Sequence, residues 1–84
     1  RVELKGGYLL DLYFNATVGK YSYTLSKSDQ RVLGWDNAPH HANLAGFPHH
    51  YHREDGQVVS SALNGDPGHD LEIVRFEVEK FLGE

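Results

Sequence analysis

Tyr21, Tyr23 and Leu25 alternate with Ser22, Thr24 and Ser26, the clearest two-residue period in the chain. Alternation of this kind predicts a strand with one apolar face and one polar face. The same period places Tyr8, Leu10, Leu12 and Phe14 together, with Leu9, Asp11 and Tyr13 opposite them. Val2 and Leu4 alternate with Glu3 and Lys5, and Arg31 to Trp35 reads as a further strand. Gly6-Gly7 tolerates the positive φ angles of a tight hairpin turn. The stretch from Asn15 to Lys20 reads as a loop, and Lys27-Ser28-Asp29-Gln30 as a polar turn. Later, His49 to Arg53 and Gln57 to Ser60 flank Glu54-Asp55-Gly56, whose Asp-Gly is a strong hairpin signal.

The period changes near the end. Leu71, Val74, Val78 and Phe81, with Leu82 beside them, recur at three- and four-residue steps, which predicts an amphipathic helix over 71–82. Asp70 is the expected N-cap, and Gly83 suits the left-handed position past the C-terminus. Asn64-Gly65-Asp66-Pro67-Gly68 reads as the linker before this helix. The fold class is therefore α+β: an antiparallel β-sheet meander of five to six strands packed against a C-terminal helix.

Composition narrows the function. The 84 residues suit one domain, able to bury roughly 60–65% of its unfolded surface. The chain begins at Arg1 and contains no methionine, so residues 1–84 are read as a single domain lacking an N-terminal segment. Without cysteine there are no disulfides, and a transition metal must bind through imidazole and carboxylate. A cytoplasmic location fits, and no apolar run approaches the roughly 20 residues of a membrane span. The net charge of −4 is unevenly placed. Residues 1–63 carry six Lys/Arg and six Asp/Glu, whereas 64–84 carry six acids against Arg75 and Lys80. Overall charge gives no support to nucleic-acid binding, which needs a basic face.

Five of the six histidines lie between His40 and His52, in two copies of Pro-His-His. Imidazole can act near neutral pH as acid, base or metal ligand. Pro39 and Pro48 constrain the backbone before each pair. If His49 to Arg53 is a strand, His50 and His52 share a face with Cα atoms about 6.5 Å apart. His49 and Tyr51 then point the other way, and the short loop containing Gly46 can bring His40 or His41 back.

Three readings stay open. In the first, His50 and His52 are an acid–base pair for metal-independent ribonucleolytic cleavage, with His40 or His41 assisting. Arg53 then stabilises the phosphorane, Asp36 orients an imidazole, and Trp35, Asn37, His49 and Tyr51 contact substrate. No cofactor is needed in that case. In the second, His50, His52 and His41 hold a divalent transition metal such as Zn or Ni, with Asp36 available. In the third, the imidazoles cap turns and stack around a tight loop, and Asp36 and Asn37 make an Asx-type turn after a core tryptophan. Arg31 and Arg53 each suit a phosphate contact, yet each also reads as an ordinary surface residue.

The run Gly34-Trp35-Asp36-Asn37-Ala38-Pro39-His40-His41, then Phe47-Pro48-His49-His50-Tyr51-His52 and Asp55-Gly56-Gln57-Val58-Val59, resembles the TumE-like family. These are small prokaryotic proteins regarded as toxins of toxin–antitoxin pairs. The resemblance is specific over 31–60 and follows the rest of the chain in layout. It implies a cytoplasmic type II toxin neutralised by a cognate antitoxin protein, with RNA as the target by analogy to other small toxins. It also carries Trp35, Asp36, Asn37, His40, His41, His49, His50 and His52 over as site positions. A basic antitoxin surface over the acidic helix is the economical expectation from the charge split, and a homodimer is an open alternative arrangement.

Overall fold

The alternating segments pair in chain order. In the computed structural model, which describes residues 1–83, six strands form one antiparallel meander: β1 (Val2–Leu4), β2 (Tyr8–Asn15), β3 (Lys20–Lys27), β4 (Gln30–Asp36), β5 (His50–His52) and β6 (Val58–Ser60). A single helix, α1 (Pro67–Leu82), covers one face. This is the expected α+β arrangement.

Each turn has a local cause. Ser28 and Asp29 both take positive φ, the geometry that lets a two-residue connection follow the twist of β3 and β4. In the β5–β6 hairpin Gly56 adopts φ 87°, and the Asp55 carboxylate accepts from the Gln57 N–H. Between β1 and β2, Lys5–Gly7 forms a single 3-10 turn, with Gly6 at φ 83°.

The two faces of β3 set the architecture. Tyr21, Tyr23 and Leu25 join Leu33, Trp35, Leu63, Val74 and Val78 in a core between sheet and helix. Tyr21 stacks on Tyr23, and Trp35 stacks on Tyr51 with ring centroids 5.0 Å apart in each pair. Ser22, Thr24 and Ser26 are left on the outer face, away from α1. Register then carries that face across the sheet: Ser22 pairs with Asp36 and Asp36 with His50, while Thr24 pairs with Gly34 and Gly34 with His52.

The helix starts earlier than its apolar period. Asp66, not Asp70, is the N-cap, accepting from the Gly68 N–H at 3.1 Å, and Pro67 follows in the first turn. Proline suits that position because its missing N–H has no partner to lose there. Asp70 lies within the first turns and is fully buried. Its two carboxylate oxygens accept from the Asn64 and Gly65 N–H groups at 2.9 and 2.7 Å, tying the linker to the helix. At the other end Gly83, at φ 80°, donates its N–H to the Glu79 and Lys80 carbonyls, as expected of a left-handed cap. Over β1 and β2 the helix leaves a groove of about 550 Å³ whose lining includes Leu10, Leu12, Leu71 and Val78.

Candidate functional site

The outer face of β3, β4 and β5 forms the floor of a pocket of about 340 Å³, and the loop carrying His40 and His41 forms one wall. Asp36, the last residue of β4, sits at the centre. Its Oδ1 accepts from the Ala38 N–H at 3.0 Å, so it does make the Asx-type turn. The same carboxylate also reaches both strand histidines. Oδ1 is 2.9 Å from His50 Nε2, and Oδ2 is 3.2 Å from His52 Nε2. The turn and the imidazole contacts are two uses of one side chain.

His50 is 2% exposed, and its Nδ1 lies 3.1 Å from the Pro48 carbonyl oxygen. A carbonyl only accepts, so Nδ1 carries the proton and donates. In a neutral ring that leaves Nε2 unprotonated beside the Asp36 carboxylate. Two acceptor atoms thus stand 2.9 Å apart. His52 is less deeply buried. Burial and the nearby Arg31 charge push its pKa below the ordinary histidine value, and Asp36 opposes them. The His50 and His52 rings meet edge to face at 4.9 Å between centroids, and His41 approaches His50 at 5.1 Å. His40 lies further out, 6.3 Å from His41.

Arg31 and Lys20 supply positive charge at this pocket. Parity alone would place Arg31 with Leu33 and Trp35 on the core face. A register shift between Leu25 and Ser26 pairs Ser26 with Arg31, so Val32 becomes the extra residue and Arg31 turns outward. Bulges often re-aim a side chain in this way. Gly34 makes room for it: a Cβ there would stand 2.9 Å from Arg31 Cδ and 3.7 Å from His52 Cδ2. The small residues of the outer face thus let an arginine stem lie flat beside the histidines.

The remaining sequence candidates have other places. Trp35 is a core residue, 3% exposed. Asn37 is a latch between strands, accepting from the Tyr21 N–H at 3.1 Å and donating to the Gly19 carbonyl at 2.7 Å. His49 stacks on Tyr21, and its Nδ1 hydrogen-bonds with the Tyr21 hydroxyl at 2.8 Å. Tyr51 faces Trp35 on the helix side. Arg53 sits in the β5–β6 turn, paired with Asp55 at 3.2 Å, and does not line the pocket. Asp11 is ion-paired with Arg1 at 2.8 Å, and the arginine holds its carboxyl below the usual range. Of the ten sequence candidates, the pocket brings together Asp36, His40, His41, His50 and His52. It adds Arg31, which the sequence offers both as a phosphate contact and as an ordinary surface residue, and Lys20, which the sequence marks only as the end of a loop.

A small α+β protein with a carboxylate–imidazole cluster in a cation-rimmed pocket is the class that this geometry defines. The chain belongs to the toxin TumE family, whose family model matches residues 1–82. No curated protein and no solved structure matches it significantly. No helix among the described residues is long and apolar enough to cross a membrane.

Proposed function

We propose that this toxin acts by cleaving RNA in the outer-face pocket and that a cognate antitoxin protein neutralises it. The observation that carries the reading is the junction of Asp36 with His50 and His52, opening on a pocket that Arg31, Lys20, His40 and His41 also line. Phosphodiester cleavage needs a base near the nucleophile, a donor for the leaving oxygen and positive charge around phosphorus. The cluster supports the first requirement, the rim histidines the second, and Arg31 with Lys20 the third. The ribose 2′-hydroxyl gives its proton to the cluster as its oxygen attacks phosphorus. The bond from phosphorus to the 5′-oxygen breaks, and that oxygen takes a proton from a rim histidine, His41 being the nearer. The products are a 2′,3′-cyclic phosphate and a 5′-hydroxyl.

The sheet face suits an unpaired strand better than a duplex. The pocket is small, and the region has no extended basic stripe to follow a double helix. The test is incubation of the purified toxin with single-stranded RNA, with end-group analysis of the fragments. Cleavage by the native protein that disappears in Asp36→Asn supports the reading. Intact RNA after prolonged incubation, or equal cleavage by the variant, overturns it.

A further inference from the structure

The His50 contact has a second consequence. Its Nδ1 donates to the Pro48 carbonyl, so in the neutral ring Nε2 is the unprotonated nitrogen, 2.9 Å from an Asp36 oxygen. Metal-bound histidines recur in this state, with the second ring nitrogen donating to a backbone carbonyl that fixes the tautomer. Asp36, His50 and His52 each offer one ligand atom, and those atoms all lie within 4.8 Å of one another. Ligand atoms of a tetrahedral zinc ion stand roughly 3.3 Å apart, given bonds of about 2.0–2.1 Å. Small side-chain rotations bridge that difference. We infer that Asp36, His50 and His52 bind a divalent first-row transition ion of the Zn2+ type, with the pocket open to its remaining coordination positions.

The donor set selects the class of ion. Two imidazoles and one carboxylate favour Zn2+, Co2+ or Ni2+ over Mg2+ and Ca2+, which prefer oxygen ligands. Three protein ligands also leave a position free, as catalytic rather than structural zinc sites do. The charge balance is favourable as well. One carboxylate does not neutralise a divalent ion, so the occupied centre keeps positive charge beside Arg31 and Lys20, where an anionic substrate is expected. His41 packs against the His50 ring and is within reach as a neighbour of the centre. The metal reading of the sequence also placed Asp36 beside two or three imidazoles, and the cluster differs from it in leaving His41 outside the ligand set.

The inference goes beyond the RNA-cleaving reading and is tested with no RNA present, so either can fail alone. Metal-stripped protein is titrated calorimetrically with Zn2+, with Mg2+ as the comparison, and its visible spectrum is followed on adding Co2+. The expected result is one-to-one Zn2+ binding, a rise in melting temperature that Mg2+ does not produce, and the intensified absorption of nitrogen-bound Co2+. Removing two ligands together, Asp36→Asn with His52→Ala, lowers Zn2+ affinity by more than the roughly 10–100-fold that loss of an outer-shell partner costs. NMR of the native protein gives a check that needs no variant: Zn2+ shifts the imidazole signals of His50 and His52 more than those of His40 or His69. Absence of Zn2+ binding, undiminished affinity in the double variant, or shifts confined to His40 and His69 overturns the inference.

Discussion

Asp36 Oδ1 stands 2.9 Å from His50 Nε2, while the other nitrogen of that ring is held 3.1 Å from the Pro48 carbonyl. A nearly inaccessible imidazole is thus hydrogen-bonded through one nitrogen and lies against a carboxylate with the other. The second Asp36 oxygen extends the arrangement to His52.

Removal of bound metal separates two modes of action. If the ion takes part in cleavage, dialysis against EDTA abolishes cutting, and Zn2+ added back restores it. Metal-independent cleavage is one of the three readings the sequence leaves open, and full activity in verified metal-free protein would favour it over an ion-dependent mechanism. The readout is the rate of RNA fragment formation, alongside the metal content of the same sample.

Arg31 is expected to matter more than Arg53. Arg31 lines the pocket, whereas Arg53 is half-exposed in a turn and paired with Asp55. Arg31→Ala should weaken RNA binding and reduce the slope of log affinity against log salt by about 1, the signature of one lost phosphate contact. Arg53→Ala should change both by less. Filter binding across a salt series measures the difference, and equal effects would contradict the assignment.

The bulge explains why the sequence does not rank Arg31 above Arg53. The alternation in β3 and the helical period after Leu71 are side-chain patterns, and both are legible because each records one buried face. The position of Arg31 depends instead on a single extra residue in the ladder, which leaves no mark on composition. His50 and His52 on a shared face follow from strand parity alone. The pairing of Asp36 with His50 follows from strand register, which the sequence does not state. Likewise, Asp70 was expected to cap the helix because it precedes the apolar repeat. The helix runs back to Pro67 because Asp66 and proline make a better start, and that leaves Asp70 free to bind the linker.

Asp70→Asn tests that linker tie. The native carboxylate accepts two backbone N–H groups and also lies 2.8 Å from His69 Nδ1. An amide offers one oxygen and turns donors towards donors in a fully buried position. The expected loss is about 1–3 kcal/mol of stability, measured by urea unfolding. A change within experimental scatter would show that the linker is held by other contacts.

Alkaline pH should destabilise the fold through two core phenols. Burial raises the pKa of Tyr21, with the Asp70 charge adding to it, and burial raises Tyr23 in the same direction. The folded state therefore keeps protons that the unfolded chain releases near the ordinary tyrosine value of about 10. Their contribution is complete below that value and is lost as pH rises through the higher folded values. Unfolding monitored against pH, with phenolate absorbance on the same samples, should show the two phenols ionising as structure is lost. Ionisation of both in a fully folded protein near pH 10 would refute it.

The most direct measurement is the identity of the RNA ends made by native toxin and by Asp36→Asn, both confirmed as folded. Fragments with a 2′,3′-cyclic phosphate and a 5′-hydroxyl are expected from the native protein, with cleavage lost in the variant. Fragments bearing a 3′-hydroxyl, or undiminished cleavage by Asp36→Asn, would contradict the proposed mechanism.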